Sequence, residues 1–134
     1  MSLKLEHVGI AVASIKESAA FYHKALGLEI FSEEEVPSQK VRVAFLKAGD
    51  TFLELLEATS PESVVARFIE KRGPGIHHLA FETSQILGKM EELKSLGFPL
   101  IDERPRIGAR GHKVCFLNPK GTQSALIELV EPHG

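Results

Sequence analysis

The sequence predicts an α+β fold made of two βαβββ modules in tandem, because three segments recur in the same order. "LEHVGIAVAS" (5–14) lies over "IHHLAFETSQ" (76–85), which sets His7 on His78 at an offset of 71 residues. "RVAFL" (42–46) lies over "KVCFL" (113–117) at the same offset. "FLELLE" (52–57) matches "LIELVE" (126–131) at an offset of 74 and sets Glu54 on Glu128, with a three-residue insertion around "NPKGTQS". A repeat of about half the chain means two homologous modules rather than a solenoid.

The elements follow in order. A strand over 4–12 leads to a helix with Ser14 as N-cap and Glu17 three residues on, a capping box. Ile15, Ala19, Tyr22 and Leu26 form its apolar stripe, and Gly27 ends it. Strands follow near 28–33, 40–48 and 51–58. In the second half, a strand over 76–83 leads to a helix over about 85–96, striped by Ile86, Met90, Leu93 and Leu96 and ended by Gly97. Strands then follow near 99–103, 112–118 and 125–131. Between the modules (about 3–58 and 75–132), a linker helix over about 60–72 has Ser60 as cap, Pro61 at its first position and Gly73 as stop. The 134 residues read as one domain.

Composition narrows the function classes. The chain is 43% hydrophobic and 25% charged with a net charge of -2, so it lacks the basic footprint of a nucleic-acid or anionic-membrane partner. Its one cysteine, Cys115 in "VCFL", excludes an internal disulfide framework and fits a reducing compartment. "MSLKLEHVGIAV" has no signal-peptide core, and no apolar run is long enough to span a membrane. The expected location is the cytoplasm.

Strand alternation sorts the polar residues. His7 shares a face with Gly9 and Ala11, and His78 with Ala80 and Glu82, while the bulkier neighbours pack under the helices. The small residues leave room for a ligand. His77 falls on the bulky face and is expected to be a strand-end residue satisfied by backbone or water. Glu54 and Glu128 each sit mid-strand between aliphatics, where an uncompensated carboxylate is costly. One divalent ion held by His7, Glu54, His78 and Glu128 would compensate both, and cobalt, zinc, nickel, manganese and iron all accept such donors.

These residues resemble a known family. The paired modules with a His and an acid in each are similar to the vicinal oxygen chelate superfamily, the glyoxalase fold. Within it the chain resembles the methylmalonyl-CoA epimerase family along nearly its whole length, through "HVGIAV", "FYHKALGL", "VRVAFLKAGDTFLELLEA", "SPESVVARFIEKRGPGIHHLAFE", "LIDERPRIGARGHKVCFLNPK" and "ALIELVE". The resemblance implies a cup-shaped mixed sheet with helices outside, a divalent metal on His7, Glu54, His78 and Glu128, an acyl-CoA substrate and a homodimer. The implied reaction interconverts two epimers by proton abstraction α to a thioester through a metal-stabilised enolate, with Glu128 as ligand and proton shuttle. Some relatives carry a second shuttle, a glutamate where this chain has Val43; either a water or another residue, such as Gln39 positioning a water, replaces it, or the activity differs. A second departure is "KGTQSALIEL", where the family often has glycine before the last strand.

In the loop 104–113, Arg110, Gly111 and Lys113 are the expected substrate contacts, with Gly108 and Gly111 freeing backbone N–H groups for an anion. His112 is expected to start a strand. The competing readings are a lactoylglutathione lyase-like isomerase, a metal-free ligand-binding protein of the same fold, and a dioxygenase. The doubled histidine and "DERPRIGARGHK" argue against the first, the complete set of four ligands against the second, and Glu54 against the third.

Overall fold

The computed structural model describes residues 3–122 and 125–134; Gln123 and Ser124, within the expected insertion and in "KGTQSALIEL", lie outside the described residues. The chain divides into two compact units, His7–His77 and His78–Gly134, the latter joined by the start of the first strand up to Glu6.

The first unit carries β1 (Lys4–Ala11), α1 (Ile15–Leu26), β2 (Ile30–Val36), β3 (Val41–Ala48), β4 (Thr51–Ala58) and α2 (Val64–Arg72). Its strands lie in the order β2-β3-β4-β1. The β1–β4 pair is parallel and the other two are antiparallel, which makes a mixed sheet. The second carries β5 (Gly75–Glu82), α3 (Ile86–Ser95), β6 (Arg106–Ile107), β7 (Lys113–Leu117), a short helix α4 (Pro119–Thr122) and β8 (Ile127–Glu131). Its order is β5-β8-β7-β6, again with one parallel pair, β5–β8. Each half therefore realises the predicted βαβββ module.

Local chemistry sets the ends of α1. The Ser14 hydroxyl accepts the Glu17 N–H at 3.1 Å. At the other end Gly27, at φ 71°, and Leu28 donate their N–H groups to the carbonyls of His23 and Tyr22, a left-handed glycine closure. That closure takes the Leu28 N–H, so β2 begins at Ile30 rather than near 28, and Leu28 packs in the core instead. Each main helix is also tied to its sheet by a carboxylate. Glu57 at the end of β4 accepts the Ile15 N–H at 2.7 Å, and Glu131 at the end of β8 accepts the Ile86 N–H at 2.8 Å.

One face of each sheet packs against its helix. Val12, Ala44, Leu46 and Leu55 close on Ile15 and Ala19, with Tyr22 at the margin. Cys115 and Leu129 close on Ile86 and Met90, with Leu93 at the margin. Leu26 and Leu96, the last members of the predicted stripes, stay 59% and 62% exposed because the final helical turn reaches past these clusters.

Two elements differ from expectation. The linker helix starts at Val64, and its cap is Ser63, whose hydroxyl accepts the Val65 N–H. Ser60 and Pro61 instead form a turn, with the Ser60 carbonyl accepting the Ser63 N–H. The strand expected over 99–103 is reduced to a single bridge between Leu100 and Leu117. There Asp102 takes the Phe116 N–H with its side chain at 2.8 Å, replacing a backbone acceptor, so the ladder stops. The paired edge strand is β6.

The two caps are testable. Glu57→Ala and Glu131→Ala should each lower unfolding free energy by about 1 kcal/mol in urea titrations; midpoints equal to wild type would show that the carboxylates do not anchor the helices. Burial, helped by the charges of Asp102 and Glu128, pushes the Cys115 thiol up from 9.0 to about 11. The thiol should therefore resist disulfide reagents at neutral pH until the chain unfolds. Its ionisation in the unfolded chain should withdraw stability between about pH 9 and 11. Fast labelling of the folded protein would contradict that burial.

Candidate metal centre

β1 turns His7, Gly9 and Ala11 away from α1, and its parallel register with β4 sets Gly9 against Glu54. From the other side β3 sets Phe45 against Glu54. The result is a buried imidazole–carboxylate contact, His7 Nε2 to Glu54 Oε1 at 3.2 Å, with the residues 3% and 6% exposed. The Phe45 ring stands edge-on to the imidazole at 5.6 Å.

The second unit repeats this arrangement, with Ala80 in the place of Gly9. β5 presents His78 and Ala80, β8 sets Glu128 against Ala80, and β7 sets Phe116 against Glu128. His78 Nε2 lies 3.1 Å from Glu128 Oε1, both residues are buried, and Phe116 stands edge-on to His78 at 5.7 Å. Two faces built independently from the same residue types thus make the same imidazole–carboxylate pair. Such a donor set, nitrogen and oxygen held dry on rigid strands in each unit, suits a divalent first-row ion.

Residues 6–116 match the model of the Glyoxalase/Bleomycin resistance protein/Dioxygenase superfamily. The chain belongs to that superfamily. An uncharacterized protein of Bacillus subtilis is 44% identical over 98% of this chain and 94% of its own length. The ethylmalonyl-CoA/methylmalonyl-CoA epimerase of Cereibacter sphaeroides is 38% identical, covering 94% of this chain and 96% of that protein. Among solved structures, a Streptomyces coelicolor methylmalonyl-CoA epimerase variant in complex with 2-nitronate-propionyl-CoA is 34% identical. It superposes with a TM-score of 0.95 over 99% of this chain and 97% of its own. The α+β architecture of paired βαβββ modules is therefore the glyoxalase fold. No helix among the described residues is long and apolar enough to cross a membrane.

Within this member of the superfamily, the loop residues take places that the sequence did not disclose. Arg110 sits at φ 58° and binds Glu6 through Nη2 at 2.8 and 3.0 Å, with both side chains largely buried. The Gly108 and Gly111 N–H groups are used inside the loop, on the carbonyls of His112 and Gly108, so the expected anion nest is closed on itself. Lys113 shares the α3 side of β7 with Cys115 and Leu117, and its Nζ lies 3.8 Å from Glu131. His112 precedes β7, and its Nδ1 accepts the His133 N–H at 2.8 Å. His77 packs on the ring of Phe68 in α2 at 5.0 Å, a contact beyond the backbone or water expected for it.

Phe45 and Phe116 were the contributors missed in the sequence. The signal was present, since "RVAFL" over "KVCFL" aligns them, but an aromatic in a strand reads as core. Val43 is buried on the Phe45 side of β3, and β2 sets Glu34 directly opposite it.

Proposed function

We propose that this protein is a methylmalonyl-CoA epimerase whose four ligands, His7, Glu54, His78 and Glu128, hold one divalent ion. The observation that carries the reading is the duplicated buried His–Glu pair, at 3.2 and 3.1 Å, in a chain whose relatives are named for that activity. When bound, cobalt, zinc, nickel, manganese or iron supplies Lewis acidity to the two oxygens flanking the α-carbon, an effect worth several kcal/mol.

The chain's own groups account for the proton. A carbon between a thioester and a carboxylate is acidic enough to lose its proton to a well-placed carboxylate. Glu128 is that base, and the rigid pairing of β8 with β5 and β7 fixes its position. Reprotonation from the opposite face needs a second group, and Val43 has no proton to give. Glu34, set across from Val43 and therefore on the same sheet face, is the carboxylate we assign to that face, acting directly or through a water that Gln39 helps to position. A homodimer and a cytoplasmic location belong to the same reading.

Incubation of metal-loaded protein with methylmalonyl-CoA in D₂O should exchange the α-proton, followed by NMR. Glu128→Gln should slow exchange by roughly 10²–10⁴-fold, and His78→Ala should lose both exchange and bound metal. Metal-bound wild type that exchanges nothing would remove the epimerase reading and favour a hemithioacetal isomerase of the same fold. Glu34→Gln should retain exchange from one epimer while conversion between epimers falls at least tenfold. Equal losses of both, or of neither, would take Glu34 out of the mechanism.

A further inference from the structure

The substrate proposed above carries fixed negative charge on its acyl carboxylate and on the phosphates of CoA. A cation on the His78 side of the second sheet would select for it, and the basic run 104–113 is the obvious source. Register sorts its members. Arg110 is committed to Glu6, and Lys113 stands on the α3 side. Arg106 is different, because β6 sets it opposite Val114. Directly opposed residues of an antiparallel pair share a face, so Arg106 lies on the side of Val114 and Phe116, and Phe116 is itself opposite Glu128.

The side-chain contacts agree with that placement. The Arg106 guanidinium carbon lies 5.4 Å from the centre of the Phe116 ring, and that ring is 5.7 Å from His78. Arg106 Nε is 3.2 Å from Asp102 Oδ1, while Asp102 Oδ2 accepts the Phe116 N–H at 2.8 Å. One carboxylate therefore fixes both the cation and the aromatic it rests on. The Arg106 side chain is 39% exposed, and one contact through Nε does not exhaust a guanidinium fork with five N–H donors. That fork matches the planar or tetrahedral oxygens of a carboxylate or phosphate.

We propose that Arg106 is the specificity-determining anchor for an oxyanion of the acyl-CoA, held one aromatic ring away from His78. The assignment rests on the epimerase reading and names the residue that recognises the substrate's charge. Arg106 does not reach the reacting carbon, so its loss should weaken binding and leave turnover nearly intact.

The test compares wild type, Arg106→Met and Arg106→Lys by calorimetry and steady-state kinetics, with Arg106→Gln replacing the Met variant if that one fails to fold. The ligands are methylmalonyl-CoA, propionyl-CoA without the acyl carboxylate, and methylmalonyl-pantetheine without the phosphates. Arg106→Met should raise Kd and KM for methylmalonyl-CoA roughly tenfold to a hundredfold with kcat within about threefold, and lysine should recover part of the loss. A defect that persists with propionyl-CoA and vanishes with the pantetheine thioester assigns the anion to a phosphate; the reverse assigns it to the carboxylate. Affinities within twofold of wild type for all three ligands would overturn the assignment. A wild type that binds none of them would instead overturn the epimerase reading, and this one with it.

Discussion

A carboxylate buried beside an imidazole is the constraint on which this molecule is organised. Glu54 and Glu128 each sit in the middle of a strand, largely removed from water and within 3.2 and 3.1 Å of a histidine nitrogen. Desolvating a charge of this kind is expensive, and only fixed partners of the right polarity offset it. Strand pairing supplies those partners. Because β1 and β4 run parallel, as do β5 and β8, the histidine and the glutamate come from separate strands whose backbones are locked by hydrogen bonds. The aromatic edge of Phe45 or Phe116 then leaves each imidazole few alternative orientations.

The same two strands also hold the helices. In "FLELLE" and "LIELVE" the paired glutamates are three residues apart, an odd spacing that sends them to opposite faces. Glu54 and Glu128 turn to the histidines, while Glu57 and Glu131 accept the first N–H of α1 and α3. A negative charge at a helix N-terminus is favourable on its own account. Helix packing and ligand placement are therefore set by one short segment in each module, and a shift of either strand by one residue would exchange the two roles and destroy both.

This explains what could be read from the sequence. The repeat exposed the modules, the His–Glu pairs and the faces they occupy, because alternation within a strand is a local rule. It could not expose the helix caps from β4 and β8, since Ile15 and Glu57 lie far apart in the chain. The expected strand near 99–103 is a single bridge for a related reason. A side-chain carboxylate from Asp102 takes the N–H that a ladder needs, and nothing local to "PLIDE" declares that competition. Similarly, the turn that joins Ser60 to Ser63 moves the cap from the expected Ser60 to Ser63.

The basic loop shows the limit most clearly. Composition identifies "RPRIGARGHK" as a source of positive charge, yet it treats its cations as equivalent. Their roles depend on which strand each one opposes. Arg110 is drawn to a buried acid from the start of β1, at a backbone conformation that side chains other than glycine seldom adopt. Two strongly hydrogen-bonded, charge-assisted contacts compensate that strain, and they leave Arg110 a structural cation. Arg106 enters the sheet in extended conformation, and its pairing with Val114 alone assigns it to the face of Phe116 and Glu128. Charge can be counted in a sequence, but the side of a sheet on which it acts is a property of register, which is why the two arginines, four residues apart, are given different work.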